Sequence, residues 1–369
     1  MHDVLRRGSS KRALSAIVAG VLLVAAIAGL VAVLATVTGH SSTDALSALW
    51  NGSLGSRYAI FSATLVRATP LILTGLAVTL AFTAGVMNIG AEGQLLAGAT
   101  AATIVCLATS GIGWLAIPLS LIAGAIAGGA WAYVPALLRR RFGVLEVIST
   151  IMMNFVALYM VGYLVRGPLQ EPLRIYPQSS AIPASAQLPI AIPGTRLHLG
   201  FIVALLCAAA LWWSLRWTAA GFRVRVIGNN PTAARSAGQI DVGRTTMRAF
   251  LISGALAGIA GAIEVTGVTY SLYENLSPGY GYTAIAVALV GALHPGLTVV
   301  SGALFGALEA GASAMQRDAG IPSVLASVVE ASIILLLLGA AALRLPMRRW
   351  VRVQFFRSGR SAERFGDAS

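Results

Sequence analysis

Residues 83–96 read Thr83-Ala-Gly-Val-Met-Asn-Ile-Gly-Ala-Glu-Gly-Gln-Leu-Leu96, placing Asn88, Glu92, Gln94 and three glycines between two long apolar runs. Polar groups are expensive in hydrocarbon. Irregular backbone persists at that depth only where protein buries it or where it lines a wet cavity. The stretch therefore reads as a break between two membrane helices and as part of a passage for a solute.

The rest of the chain agrees with a membrane setting. Of 369 residues, 57% are hydrophobic and only 11% charged, with mean hydropathy +0.80. Soluble domains carry roughly 25% charged residues. A net charge of +13 would point to nucleic acid in a soluble domain. Here the basic residues flank apolar spans, so the charge encodes topology and attraction to anionic membrane lipid, with no nucleic-acid partner. Cys106 and Cys207 both fall inside apolar runs and read as small core residues, not as a disulfide or metal site.

A crossing helix needs about 20 apolar residues. Ten stretches qualify or nearly so: 13–36, 58–81, 91–110, 114–138, 145–165, 199–217, 248–268, 281–293, 297–316 and 321–343. The first, 24 residues after Arg6, Arg7, Lys11 and Arg12, is too long for a signal-peptide core and reads as a retained helix. The eighth is short and is punctuated by Gly291, Pro295 and Gly296, which predicts a broken or half-length helix near 281–296. The expected fold is an all-α integral membrane protein, a polytopic bundle of about ten transmembrane helices. Its segments are a basic amino terminus (1–12), a membrane domain (13–343) and a basic tail (344–369). With both termini in the cytoplasm, twenty basic residues lie inside and five outside, Arg67 falling within a span. That bias fixes the expected orientation. The proline-rich loop 166–198 is then external, loop 37–57 holds a short helix around Asp44–Trp50, and loop 218–247 is cytoplasmic.

Nothing in the chain resembles a nucleotide site. The sole lysine, Lys11, is followed by arginine, so the Gly-Lys-Ser/Thr of a P-loop is absent. Active transport then needs an ion gradient or a partner ATPase. The loop segment Val226-Ile-Gly-Asn-Asn-Pro-Thr-Ala-Ala-Arg-Ser-Ala-Gly238 favours the partner. Asn230 is a good N-cap, Pro231 suits the first helical position, and Gly238 can end the turn. That is a short, small-sided helix outside the membrane carrying Arg235. It reads as a docking knob or, equally from spacing alone, as an ordinary surface helix.

Several motifs in one order resemble the permease subunits of bacterial ABC importers for simple sugars and nucleosides, within the branched-chain amino acid and ribose-type permease superfamily. They are Asn88-Ile-Gly-Ala-Glu-Gly-Gln94, Ile227–Gly238, Glu264-Val-Thr-Gly267, Ser277-Pro-Gly-Tyr-Gly-Tyr282, Ala284–Gly291 and Ile321-Pro322. Glu146–Asn154 looks closer to the nucleoside-type branch. The resemblance covers about residues 55–345. It departs at His294-Pro295, where the family more often has asparagine-proline. It implies a multi-pass permease of the cytoplasmic (inner) membrane that carries a nucleoside or simple sugar inward, with no catalytic residues, metal or cofactor of its own. It further implies cytoplasmic ATP-binding subunits, an external solute-binding protein and a second permease subunit, identical or homologous. Gly228, Asn230, Pro231, Ala234, Arg235 and Gly238 become the coupling-helix positions on the ATPase.

Polar groups inside spans are the remaining candidates. Asn88, Glu92, Gln94 and Asn154 offer donors and acceptors suited to hydroxyls and base edges, and are the expected substrate path. The alternative is glue between helices, or, for Glu92, a cap on the third span. Arg67 at depth calls for an intramembrane acid: Glu330 by depth alone, with Glu264 and Glu309 also within spans. That pair is expected to be structural. Gly124-Ala-Ile-Ala-Gly128 and Gly254-Ala-Leu-Ala-Gly258 fit close helix packing, and Trp212, Trp213 and Trp217 fit interface anchors. The competing function from the residues is an ion-coupled secondary transporter using the intramembrane glutamates.

Overall fold

The structure, a computed structural model, describes residues 28–33, 35–37, 39–236 and 240–344. Most of the first predicted span, both basic termini and Gly238 fall outside the described residues. A short apolar helix, Ala28–Val37, leads in. Helix α1 (Ser42–Ser53) follows where a short helix was predicted, with the Ser41 hydroxyl accepting from the Asp44 N–H. Then come α2 (Leu65–Thr83), entered through a π turn at Ala59–Thr64, α3 (Ala91–Ala108), α4 (Ala116–Phe142), α5 (Glu146–Arg166) and α6 (Gly200–Trp217). The chain continues through α7 (Ala219–Asn229), α8 (Pro231–Ser236) and α9 (Val242–Glu264), which runs into a second π turn at Val265–Thr269. It closes with α10 (Tyr280–Val290), α11 (Pro295–Asp318) and α12 (Ser323–Arg344).

Among the described residues, seven helices are long and apolar enough to cross a membrane. The 22-residue α12 and the half-length α10 complete a polytopic helical bundle. Every stretch predicted from residue 58 onward corresponds to a helix. The half-helix near 281–296 is α10, and its break is a turn in which Ala292 and Leu293 take left-handed backbone (φ 50° and 55°) before Pro295 opens α11. Helix α9 starts at Val242, six residues before the expected 248, and two further differences stand out. Helix α4 runs on through Arg139–Arg141, because arginines complement the negative end of a helix and their long stems keep the charge wet. Helix α7 was not anticipated; Thr218 caps it by accepting from the Gly221 N–H, and Val224 and Ile227 are its buried face.

The middle of the bundle is α2, α3 and α9, whose most apolar windows are 83%, 72% and 72% buried, against 22%, 33% and 28% for α4, α5 and α6. The outer three therefore present apolar side chains to lipid. The α4–α9 crossing is made by the two small-residue motifs. A Cβ on Gly258 would strike the Gly124 carbonyl, and one on Gly128 the Gly254 carbonyl. Gly98 of α3 meets Gly258 in the same way. Such contacts let backbones approach closely and supply the dispersion that holds helices together in lipid.

The segment 167–199 is held by isolated bridges, Gln170 to Ser179, Gln178 to Tyr273 and Ile190 to His198. Arg166 and Glu274 pair at 2.7 Å, which holds the Glu274 carboxyl below its usual range. These contacts tie the loop to residues 270–279 and define one end of the bundle. Arg139–Arg141, α7 and α8 lie at the other.

Candidate functional site

At the end bearing segment 167–199, a cavity of about 510 Å³ reaches into the bundle. Arg67 comes from α2, Glu264 from the last α-helical turn of α9, Glu309 and Ser313 from α11, and Tyr273 and Tyr280 from the 270–280 segment. The exposed Asn275 and Gln316 mark its mouth. Arg67 donates to the Ser313 hydroxyl at 3.4 Å and lies within electrostatic reach of Glu264. Burial first, and the neighbouring Glu264 charge second, push the Tyr273 phenol up. Both principal charges sit beside a π turn: Ala59–Thr64 ends three residues before Arg67, and Val265–Thr269 starts directly after Glu264. Such turns cluster at functional sites because they re-aim neighbouring side chains. The sequence expected Arg67 to pair with an intramembrane acid, Glu330 by depth; that Arg67, Glu264 and Glu309 share one chamber is a tertiary fact. The side chain of Glu330 lies outside the described residues. Tyr273 and Tyr280 went unremarked as site residues, although the Ser277-Pro-Gly break just before Tyr280 was a usable signal for a helix start.

The floor of the chamber is the amino end of half-helix α10. Gly279 takes φ 103°, open to glycine, and the Ser277 hydroxyl accepts from the N–H groups of Gly279 and Tyr280. Beneath it stands Glu92. Its Oε2 accepts from the Gly281 N–H at 2.7 Å, and a Cβ on Gly281 would run into the Glu92 backbone. Glu92 thus caps α10, at the positive end of that helix.

The 83–96 stretch forms a buried polar knot one layer further in. Asn88 and Gln94 exchange both amide hydrogen bonds, at 2.9 and 3.0 Å. Asn88 also donates to the Ser253 hydroxyl of α9, which donates to the Ala77 carbonyl of α2. Asn154 of α5 accepts from the Gly93 N–H at 2.8 Å and donates to the Ile89 carbonyl and the Tyr282 hydroxyl. The structure therefore brings Asn88, Glu92, Gln94 and Asn154 together, bonded to protein and beside the chamber but not among its lining residues.

At the opposite end, Asn230 caps α8, its Oδ1 accepting from the N–H groups of Thr232 and Ala233. Ala234 is fully buried while Asn230 and Arg235 are exposed, so α8 is a seated knob with an exposed charge. Gly228, just before it, abuts the end of α2: a Cβ there would strike the Thr83 carbonyl. Its partner Gly85 takes φ 74°. The next residues of that turn are tied sideways, with Met87 N–H donating to Glu146 and Glu146 facing Arg139 at 3.4 Å. A smaller cavity of about 240 Å³, lined by Arg139, Arg140 and Arg235, sits beside the knob. The two sequence motifs, remote along the chain, are thus in direct contact.

A multi-pass bundle with a polar chamber at one end and a seated knob at the other has the layout of a membrane permease. The family "Branched-chain amino acid transport system / permease component" matches residues 60–338, and the chain belongs to it. The chain is 41% identical over 331 residues to the guanosine ABC transporter permease protein NupP of Bacillus subtilis, covering 88% of this chain and 94% of the relative. It is 36% identical to the glucose ABC transporter permease protein TsgB13 of Haloferax volcanii, over 86% of this chain and 85% of the relative. It is 32% identical to the nucleoside ABC transporter permease protein NupB of Lactococcus lactis, over 78% and 80%. No solved structure matches the chain.

Proposed function

We propose that this chain is the membrane-spanning subunit of an ABC importer that carries a neutral polyhydroxylated solute, a nucleoside or simple sugar, across the cytoplasmic membrane. The observation that carries the reading is the near full-length similarity to a guanosine ABC transporter permease. The chamber supports it. Its charged and hydroxylated lining suits hydroxyl-bearing solutes and gives little to an aliphatic side chain. Two acids against one arginine disfavour phosphates. Its volume lies within the usual range for small-molecule sites.

In this reading partner subunits bind and hydrolyse ATP, and this chain holds no cofactor. An external binding protein delivers solute to the chamber, and a second permease subunit, identical or homologous, completes the pore. Asn88, Glu92, Gln94 and Asn154 form the closed gate below the chamber, and their hydrogen bonds exchange with solute as it passes. The knob at Asn230, Pro231, Ala234 and Arg235 docks on the ATPase, Gly238 keeping the coupling role the sequence motif gives it, and Gly228 passes the knob's movement to the gate through Thr83–Gly85.

The test is uptake of radiolabelled guanosine and D-glucose into proteoliposomes holding the permeases, the ATPase and the binding protein. Accumulation is expected to require ATP inside or out on the ATPase face and to survive an ionophore. Accumulation that ignores ATP and collapses with the ionophore overturns the reading.

A further inference from the structure

Balancing the Arg67 charge does not account for every acceptor of the glutamate on which the chamber is built. Glu264 is among the residues lining the 510 Å³ cavity; it is 4% exposed, and its Oε2 is buried without a hydrogen-bond partner in the protein. An acid used as glue between helices spends its acceptors on neighbouring donors, as Glu92 does on Gly281. A buried acceptor left open is costly, and the cost is relieved by whatever donor occupies the cavity. The backbone leaves α-helical geometry immediately after Glu264, and the π turn fixes the direction from which its side chain enters the chamber. Arg67, from the facing wall, supplies the counter-charge that lets an acid persist at this depth.

We propose that Glu264 is a solute-recognition residue: its carboxylate, with an acceptor unspent on the protein, accepts a hydrogen bond from a sugar hydroxyl of the passing solute. This rests on the importer reading above. A carboxylate suits the task because each hydroxyl brings a donor, and hydrogen bonds to a charged acceptor are the stronger kind. The phenols of Tyr273 and Tyr280 and the amides of Asn275 and Gln316 stand in the same lining for the remaining hydroxyls.

The experiment compares wild type and Glu264→Gln in the reconstituted complex, with two probe pairs. Guanosine is set against 2′,3′-dideoxyguanosine, and D-glucose against its single-deoxy analogues. The binding protein is the same in both preparations, so its own preference cancels when each variant's uptake is divided by that of wild type. The substitution is expected to lower uptake of the hydroxylated solute by about tenfold and that of a deoxy analogue by less than about twofold, since the analogue never used the acceptor. Glu264→Asp, which restores a carboxylate, is expected to recover part of the discrimination. Should Glu264→Gln fail to insert, Tyr273→Phe leaves the charges in place and is expected to give the same analogue-dependent loss. Equal losses for both members of a pair, or no loss for either, overturn the proposal while leaving the importer reading intact. A wild-type complex that carries none of the four probe types overturns both.

Discussion

Asn88 and Gln94 use both halves of their amides on each other, and Asn88 adds the Ser253 hydroxyl. Removing one member leaves the others buried and unsatisfied, at a cost of about 1–3 kcal/mol. Asn88→Ala is therefore expected to lower the melting temperature of the purified permease, and Ser253→Ala to lower it less. An Asn88→Ala protein that melts like wild type shows that the knot does not hold the closed state together. His198 makes a pH prediction. It is 1% exposed beside Gly267, neither ring nitrogen has a hydrogen-bond partner, and burial, with Arg196 nearby second, lowers its pKa to about 4. The folded protein thus binds this proton more weakly than the unfolded chain. Its stabilising effect is complete above the ordinary value near 6.5 and is lost as pH falls towards about 4, a total of roughly 3 kcal/mol. Melting curves of wild type and His198→Leu between pH 7.5 and 4.5 should diverge in slope, wild type losing more; parallel curves contradict the assignment. Nothing in the sequence announced His198. A single histidine after a proline-rich loop carries no pattern, and the π turn that follows α9 lies against it at Gly267.

At the scale of elements, the motifs with a local physical signature were legible and their meeting points were not. The small-residue spacings of α4 and α9 announced close helix packing, because close approach in lipid demands small side chains every fourth residue, but not that these two helices cross each other. Asn230-Pro231 announced α8 because a cap and a first-turn proline are local chemistry. The contact of Gly228 with Thr83–Gly85 was hidden, since no periodicity records which turn lies against which. Two substitutions separate these roles. Gly258→Val pushes a branched side chain into the Gly124 carbonyl, and overpacking of this kind costs about 1–3 kcal/mol. It should reduce the amount of folded permease in the membrane, whereas Gly111→Ala, with open space around it, should not. Gly228→Ala disturbs the joint at the foot of α2 and leaves the crossing alone. In the complex that assembles, it is expected to lower the number of solutes moved per ATP hydrolysed. Unchanged stoichiometry would mean that force reaches the gate by another route.

The two ends of the whole molecule differ in chemistry. One end presents the proline-rich segment and the acid-lined chamber. The other presents Arg139–Arg141, α7 and the α8 knob. Between them lie α2, α3 and α9, packed through glycines and mostly buried, which join knob to chamber. Such a device works only if the knob faces the compartment that supplies ATP, which is also what the excess of arginine at that end requires. The orientation is open to a direct test in a background with Cys106 and Cys207 replaced. Tyr176→Cys, exposed in the proline-rich segment, should react with an impermeant maleimide in intact cells. Asn229→Cys, exposed beside the knob, should react only once the membrane is opened. Labelling of Asn229→Cys from outside would place the knob beyond the reach of any cytoplasmic ATPase. The contact between Gly228 and the foot of α2 would then have no force to transmit.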